Sequence, residues 1–434
     1  MQVFKWVTLG AGMIFILIVA AYLNAQHLYY MAAILLTLPA VSYALGWFAM
    51  RGLTFSRELP EAGWAGEEGG LVYLAQNNTP VPRFFLAINE PLPVWIEPLD
   101  PEPPLFNVDG RVGSGPDEQG VTRIIHRVRF RKRGTHVLGE FEVVAIDPLG
   151  VFAFTGRVSC EGEIVVYPQP EPLNSFTLSG ADRYGWQEFT AAALRGVSVD
   201  PDGVREYAPG DPLRHIHWRQ TARTGRLAVI EFEEPQTVNL VIVLDLQQGT
   251  EFGEGTETTL ERGVSLAASL AQEAIQSGAS VRLVVPDDAA VAESTVASFG
   301  AAGVSNRGQE HLLAVLDALA RAEARSAEPV SKLVNQAVGN LLPGTTLVII
   351  TAQNDSALAD AIVRYTSAQT RVGVIYVDPA AFTRNSGRAS PTNTNRFFAE
   401  ILAVQAHPFL MHRARTGSDT GDNTPWSILK NFAI

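Results

Sequence analysis

The chain has 434 residues, with 33 lysines and arginines against 45 aspartates and glutamates, which gives a formal net charge of −12. This length predicts two or three domains, and the acidic balance argues against a general nucleic-acid-binding protein, whose surface is usually basic. Hydrophobic residues make up 47% and charged residues 18%, which excludes a wholly disordered chain. The single cysteine, Cys160, excludes an intramolecular disulfide and a multi-cysteine metal or iron–sulfur site.

Residues 1–52 contain two apolar segments, at about 6–23 and 28–50. Each is long enough, or nearly so, to cross the hydrocarbon layer of a membrane as a helix. A cleaved signal peptide would be followed by polar sequence, whereas here a second apolar segment follows at once. We therefore expect an uncleaved anchor of two transmembrane helices; a buried helical hairpin in a soluble domain is the alternative.

Basic residues around these segments predict their orientation. Lys5 precedes the first segment, Arg51 and Arg57 follow the second, and the loop between them has no lysine or arginine. By the positive-inside rule, both ends of the anchor face the cytoplasm. We therefore expect a multi-pass protein of the cell membrane, with both termini and the body at 51–434 in the cytoplasm.

Residues 53–170 predict a β-rich, sandwich-like domain. Its short apolar or alternating runs are Gly70–Ala75, Phe84–Ile88, Val121–Phe130, Phe141–Ile146, Gly150–Phe154 and Ile164–Tyr167. Pro98–Gly120 is predicted to be a long exposed loop. Arg127, Arg129 and Arg131 alternate, so they share one face of a strand. We interpret this face as solvated, and contact with acidic lipid headgroups or an acidic partner is the alternative.

Residues 171–235 are predicted to hold a linker and the most distinctive motif of the chain. Five arginines fall within 22 residues, namely Arg205, Arg214, Arg219, Arg223 and Arg226. Guanidinium groups pair with carboxylates and stack on aromatic rings. Because buried arginines need partners, the pattern favours an ion-pair knot that pins two domains together. A docking site for an acidic helix of a partner and an anion pocket remain open.

Local signals within this motif predict a short helix. Asp211 is a good N-cap, Pro212 suits the first helical position, and Gly225 suits the C-terminal end. The predicted apolar contacts come from Leu213, Ile216, Trp218 and Ala222. His215 and His217 are two residues apart and point away from each other on a helix, which argues against a metal site.

The full motif consists of Arg205, Glu206, Tyr207, Pro209, Gly210, Asp211, Arg214, Ile216, Trp218, Arg219, Arg223, Gly225 and Leu227. It closely resembles the signature of the bacterial domain-of-unknown-function family numbered fifty-eight, and the resemblance extends over nearly the whole chain. It implies a membrane protein that accompanies AAA+ ATPases of the MoxR type in chaperone or assembly systems, with no established enzymatic activity. On that view the motif is a candidate partner-docking site.

Residues 236–413 alternate strands and helices, which predicts a parallel sheet covered on both faces. The family resemblance implies that this α/β domain is von Willebrand A-like, with a Rossmann-like architecture. Residues 414–434 are predicted to be a flexible segment followed by an apolar end, Trp426–Ile434, that docks back onto the domain.

Von Willebrand A-like domains often bind Mg²⁺ through an Asp-x-Ser-x-Ser loop, helped by a threonine and another aspartate. Here Asp245 is present, but Gln247 and Gly249 replace the two serines, and the segment from Thr351 has no acid until Asp355. One carboxylate with weak amide helpers holds Mg²⁺ poorly. We therefore predict a degenerate, metal-free site in which Asp245 is structural or a polar contact, and no cofactor.

These features together predict a non-enzymatic, membrane-anchored adaptor that acts with a MoxR-type AAA+ ATPase in the assembly of client complexes, without nucleic acid. A metal-dependent von Willebrand A-type binding or adhesion module is one alternative, and Gln247 and Gly249 count against it. A hydrolase that uses Asp211 or Asp245 with a histidine of the motif is the other. The lack of a Gly-x-Ser-x-Gly, Walker or His-Glu-x-x-His motif counts against that reading.

Overall fold

In a computed structural model the chain forms two compact units, Met1–Val166 and Tyr167–Ile434. The structure describes residues 2–23, 26–101, 105–110, 120–147, 152–171, 201–207, 216–232, 239–286, 308–338, 345–363, 371–382, 391–404, 406–413 and 426–429. Within them, helices and several separate sheets both occur, so the fold is mixed.

The first unit begins with two helices, α1 (Gln2–Leu23) and α2 (Gln26–Ala49). By length and composition α2 is apolar enough to cross a membrane, whereas α1 contributes the shorter apolar stretch Gly10–Leu23. The sequence thus identified an apolar N-terminal helix of spanning length.

Antiparallel strands follow and form the β-domain, which we define as strands β1–β11. Their bounds are β1 (Leu53–Glu58), β2 (Gly63–Trp64), β3 (Glu68–Asn77), β4 (Arg83–Asn89), β5 (Ile96–Pro98), β6 (Phe106–Val108), β7 (Gly120–Phe130), β8 (Gly134–Leu138), β9 (Phe141–Ile146), β10 (Ala153–Val158) and β11 (Gly162–Tyr167). The sheet orders are β1-β3-β7-β5, β10-β9-β4-β6 and β2-β11-β8.

Alternating side chains give the three sheets one shared hydrophobic core. In β3 the residues Leu71, Tyr73 and Ala75 are buried while their neighbours are partly exposed, and β9 follows the same alternation. The core also receives side chains from the third sheet and from Ala49 at the end of α2. Burial of these apolar surfaces is the main stabilising contribution to the unit.

Several short strands were not predicted. β6 lies within the segment Pro98–Gly120 that we expected to be a loop, and β8, which begins at Gly134, is absent from the predicted runs. A strand of three residues shows too little alternation to be recognised. Gly134 has φ +132°, a conformation that glycine adopts easily, so its turn-like composition is compatible with the start of a strand.

The second unit contains a hairpin followed by an α/β domain. The hairpin consists of β12 (Pro201–Glu206), α3 (Trp218–Thr224) and β13 (Ala228–Phe232). The remaining strands are β14 (Asn239–Leu244), β15 (Gly253–Glu254), β16 (Glu257–Thr258), β17 (Ser280–Val284), β18 (Thr345–Thr351), β19 (Arg371–Val377), β20 (His407–Arg413) and β21 (Trp426–Leu429). The remaining helices are α4 (Thr259–Gln276), α5 (Gln309–Arg321), α6 (Val330–Val338), α7 (Ser356–Val363) and α8 (Pro391–Ala403).

The main sheet has the order β17-β14-β18-β19-β20-β21, with the first five strands parallel and β21 antiparallel to β20. One face, which includes Val241 and Leu347, packs against α6, α7 and α8. On the other face Gly263 of α4 approaches Leu244 and Ile350. Both faces are therefore covered, as the sequence predicted. The described part of the apolar end, Trp426–Leu429, pairs with β20.

Candidate functional site

The helix of the arginine motif begins later than the sequence predicted. It starts at Trp218, and the Nδ1 atom of His217 caps it by accepting a hydrogen bond from the Gln220 N–H at 3.0 Å. Gly225 ends the helix with φ +70°, as predicted. The predicted N-cap and first helical residue, Asp211 and Pro212, lie outside the described residues.

A short β-bridge and two hydrogen bonds attach α3 and the residues just before it to strand β13. Ile216, buried as predicted, forms a bridge with Val229 and so precedes the helix in extended conformation. The His217 N–H donates to the Ala228 carbonyl at 2.8 Å, and the Ala228 N–H donates to the Thr221 hydroxyl at 3.1 Å. Of the side chains of α3, only that of Thr221 takes part in these contacts, and the helix has no buried residue.

The predicted apolar contacts of Trp218 and Ala222 are wrong. No residue of α3 is buried, and Trp218 is 67% exposed. Arg219 and Arg223 are also exposed, and at a spacing of four they share one face of the helix. We call Trp218, Arg219, Ala222 and Arg223 the arginine surface.

This exposure corrects the prediction of a buried ion-pair knot for two of the five arginines. Among the residues that the structure describes, no carboxylate lies within ion-pair distance of Arg219 or Arg223. Tyr207 is half-buried, and its N–H donates to the Leu227 carbonyl at 2.9 Å. The side chains of Arg205 and Glu206, and all of Pro209, Gly210, Asp211, Arg214 and His215, lie outside the described residues.

A second candidate lies where β14 and β18 end. In the sheet, β14 lies between β17 and β18. The next strand of this sheet along the chain, β17, lies on one side of β14, and the strand after it, β18, lies on the other. The order of the strands therefore reverses at β14, and α/β folds commonly bind ligands at such a point. Asp245 follows β14 and Thr351 ends β18. The Thr351 hydroxyl donates to Asp245 Oδ2 at 2.7 Å, and the Gln247 N–H donates to Asp245 Oδ1 at 3.0 Å.

The Asp245 carboxylate is buried, and both of its oxygens accept hydrogen bonds from the protein itself. Burial raises the pKa of Asp245, the two hydrogen bonds oppose that shift, and the nearby charge of Asp355 adds to it. The cavity here measures about 10 Å³, enough for one water molecule at most. Within the described parts of the chain, no group of three or more histidine, cysteine, aspartate or glutamate side chains could hold a metal ion.

Ser326 holds the loop after Asp245 in place, and sequence reasoning missed it. It is fully buried, its N–H donates to the Leu246 carbonyl at 3.0 Å, and its carbonyl accepts from the Gln248 N–H at 2.8 Å. Gly249 has φ +86° within this turn. The loop that carries Gln247 and Gly249 is therefore fixed by backbone hydrogen bonds.

In the β-domain, the three alternating arginines form exposed ion pairs, which supports the interpretation of a solvated strand face. The partners are Asp100 for Arg127, Glu68 for Arg129 and Glu97 for Arg131. The arginine side chains remain 44–64% exposed. Such pairs are each worth about 0–1 kcal/mol.

A groove of about 460 Å³ borders this face, and its lining includes Glu90, Glu97, Asp100, His126 and Arg131. Burial lowers the pKa of His126, and the charge of Asp100 opposes the shift. The three carboxylates of the groove are already paired with arginines of the β-domain.

A buried arginine ion pair does occur in the β-domain, between Arg57 and Glu90, whose side chains are each 1% exposed. Arg57 also donates to the carbonyls of Leu138 and Cys160, and the Tyr73 hydroxyl donates to Glu90. Burial raises the pKa of Glu90, and Arg57 opposes the shift. Arg57 was one of the charges that predicted membrane orientation, and it is buried in an ion pair, whereas Arg51 is exposed.

A family model matches the part of the chain that contains the arginine motif. The family model described as "Protein of unknown function DUF58" matches residues 203–352, which include the whole arginine motif, Arg205 to Leu227, and the strands β14 to β18. The curated "Uncharacterized protein YeaD" of Bacillus subtilis (strain 168) is 23% identical over 308 residues, covering 70% of this chain and 71% of the relative.

A solved β-glucuronidase of Bacteroides uniformis aligns with 9% identity and a TM-score of 0.16, covering 81% of this chain. The alignment covers 38% of that enzyme. At this TM-score the match supports no argument about fold or function.

Proposed function

We propose that this protein is a non-enzymatic, membrane-anchored adaptor that docks a MoxR-type AAA+ ATPase through the arginine surface on α3. The observation that carries the proposal is the exposure of Trp218 beside Arg219 and Arg223, which have no described carboxylate partner. Tryptophan and arginine are the residues most enriched among interface hot spots. Their exposure on a folded helix supports a role in binding rather than in internal structure.

The chemistry of this surface suits an acidic helix or loop on the ATPase. Two guanidiniums four residues apart can each form bidentate hydrogen bonds with carboxylates on a facing helix. The neighbouring indole of Trp218 supplies apolar area that a partner would remove from water. A site of this kind combines charge recognition with desolvation.

The remaining parts of the proposal concern the anchor and the α/β domain. We propose that α1 and α2 together form a two-span anchor with both termini in the cytoplasm. We also propose that the α/β domain is von Willebrand A-like and acts as a client-binding or structural module without metal. The use of both Asp245 oxygens in internal hydrogen bonds supports a structural role for this residue.

The test is crosslinking and affinity purification of the tagged full-length protein from its own membranes, with partners identified by mass spectrometry. The test variants are Trp218→Ala and the double variant Arg219→Glu/Arg223→Glu. The matched control is Arg396→Ala, which removes a side chain that is 82% exposed on helix α8 of the same unit. Since all these residues are exposed, each variant should fold with a stability change of about 0.5 kcal/mol or less per site.

We expect the wild type and Arg396→Ala to recover an AAA+ ATPase, and both test variants to lose at least nine-tenths of it while melting like the wild type. Equal recovery with the charge-reversed variant would contradict docking at this surface. Failure to recover any ATPase, under conditions that retain other membrane complexes, would contradict the proposed partner.

A further inference from the structure

Two consecutive phenylalanines at the start of β4 both point away from the core. Phe84 is 49% exposed and Phe85 is 44% exposed. Successive residues of a regular strand point to opposite faces, so one of the two should be buried. The register between β4 and β6 shifts between Arg83 and Leu86, and Phe85 has φ +60°. A bulge therefore turns both aromatic rings outward.

This bulge has an energetic cost. A left-handed backbone in a bulky residue other than glycine costs about 1–3 kcal/mol. Bulges commonly redirect side chains near functional surfaces. The Phe85 N–H is satisfied by Asn107 Oδ1 at 3.1 Å, so the local structure supports the strained conformation. The strained backbone exposes a pair of aromatic rings, and this indicates that the two rings contact something outside the β-domain.

The bulge is attached directly to the end of helix α2. Arg83, which is 2% exposed, places its guanidinium 3.8 Å from the ring centre of Phe48. Its Nη2 donates to the Arg51 carbonyl at 3.0 Å. Phe84 and Phe85 follow Arg83 immediately, so the two rings lie close to the last turn of α2.

Strand pairing indicates that the bulge lies alongside the C-terminal part of α2 and does not extend past Ala49, the last residue of the helix. β4 runs antiparallel to β9 with Leu86 opposite Ala145, so the residues before Leu86 run alongside those that lead to Asp147. Asp147 accepts a hydrogen bond from Ser42 of α2. Ser42 lies about 10 Å before Ala49 along the helix axis. Measured along the axis of α2, the bulge therefore lies at the level of the last two turns of the helix.

Other apolar side chains extend the same surface. Val81 is 46% exposed, and the rings of Phe152 and Phe154 each lie 5.2 Å from that of Tyr43 on α2. We call the exposed rings of Phe84 and Phe85, together with the neighbouring Val81, the aromatic rim. Arg51, stacked 3.6 Å above the ring of Trp47, adds an exposed positive charge at the end of α2.

We propose that the aromatic rim inserts into the interfacial zone of a phospholipid bilayer, so that one end of the β-domain is immersed beside α2. The proposal rests on the proposed membrane span of α2. A helix of 24 residues is about 36 Å long, and the hydrocarbon layer is about 30 Å thick. The last two turns of α2 therefore reach the lipid boundary, and the rim reaches it with them. Aromatic rings favour this zone, and Arg51 is placed to contact anionic headgroups.

The test uses the full-length protein with Cys160→Ser, reconstituted into vesicles of phosphatidylethanolamine and phosphatidylglycerol. A bimane fluorophore is attached to a single cysteine at one of three sites, Phe84→Cys, Val137→Cys or Leu38→Cys. Lipids that carry a nitroxide near the headgroup or deep in the acyl chain quench it by contact. Val137 is a 67% exposed apolar residue on β8 and serves as the matched control, while Leu38 reports on the span of α2.

We expect the shallow nitroxide to quench the label at position 84 at least twofold more than the label at 137, and the deep nitroxide to quench the label at 38. Equal quenching at 84 and 137, with strong quenching at 38, would overturn the immersed rim and leave the anchor intact. A label at 84 with blue-shifted emission but no quenching would mean that protein covers the rim, which also overturns the proposal. Lack of quenching at 38 would overturn the membrane span itself.

Discussion

The Thr351 hydroxyl donates a hydrogen bond to Asp245 Oδ2 across the ends of β14 and β18, 106 positions apart in the chain. The bond joins two neighbouring parallel strands at the point where strand order reverses. It also places a carboxylate in a buried site whose remaining space is about 10 Å³. Because burial raises the pKa of Asp245, we expect its contribution to stability to depend on pH.

Asp245→Asn should stabilise the α/β domain at neutral pH. Burial raises the pKa of Asp245 in the folded state, so the folded protein holds this proton to a higher pH than the unfolded chain does. The stability contributed by the protonated form is present below the ordinary aspartate pKa of about 3.9 and is lost as pH rises through the raised value. Calorimetry of the full-length protein from pH 4 to 8 should show a smaller loss of stability for Asp245→Asn. If the wild-type domain instead became more stable than the variant as the pH rises, the pKa of Asp245 would be lowered by folding, which contradicts the prediction.

Glu90→Leu should destabilise the β-domain by about 3–5 kcal/mol, because it leaves the buried Arg57 guanidinium without its carboxylate. The double variant Arg57→Met/Glu90→Leu should recover part of the loss, since two apolar side chains no longer bury an unpaired charge. Glu97→Leu is the control and should cost about 1 kcal/mol or less, because the Glu97–Arg131 pair is exposed. Chemical unfolding in detergent measures all three. Similar losses at Glu90 and Glu97 would refute the assignment of Arg57 and Glu90 as the structural pair.

Gly46→Ala should weaken the attachment of α2 to the β-domain. A Cβ atom at position 46 would lie 2.6 Å from Cε2 of Phe154, closer than van der Waals contact allows. Overpacking of this kind costs about 1–3 kcal/mol, against a gain of up to about 1 kcal/mol in helix propensity. Gly12→Ala in α1 meets no atom within 4 Å and should be neutral or slightly stabilising. Hydrogen exchange of the β10 amides should increase for the first variant alone.

Phe85→Asn should stabilise the isolated fold in detergent, by about 1 kcal/mol, because asparagine tolerates a positive φ better than phenylalanine does. Phe84→Asn, the neighbouring control, should show no such gain, since no positive φ is relieved there. Thermal melts of the two variants compare them directly. A lower melting temperature for Phe85→Asn than for Phe84→Asn would show that packing of the Phe85 ring stabilises the fold by more than the positive φ destabilises it.

The long and strongly patterned elements could be predicted from the sequence, and the reasons are local. β3, β7 and β9 alternate in hydrophobicity, and α2 is uniformly apolar, so neighbouring residues alone identify them. The strands β5, β6 and β8 were missed because a short strand, or one with a glycine start, is stabilised by its partners more than by its own pattern.

The candidate sites depend on distant residues, which a single sequence does not reveal. Arg57 and Glu90 are 33 positions apart, and neither lies in a recognisable motif. In the arginine motif the composition was clear, but the exposure of Trp218 depends on how α3 is held. The His217 N–H and the Thr221 hydroxyl both bond to the backbone of Ala228, and the sequence does not reveal that pairing. The helix start was misplaced because Asp211 and Pro212 fit the preferences of helix N-termini, whereas His217 supplies the observed cap.

The junction of α2 with the β-domain has a mechanical consequence. Ser42 is hydrogen-bonded to Asp147, and Gly46 seats the helix against the ring of Phe154. With the last two turns held in this way, α2 cannot change its inclination unless the β-domain turns with it. Transmembrane helices adjust their tilt to bilayer thickness. A spanning α2 would thus act as a lever, and the lipid composition of the membrane would set the angle of the β-domain to the membrane plane.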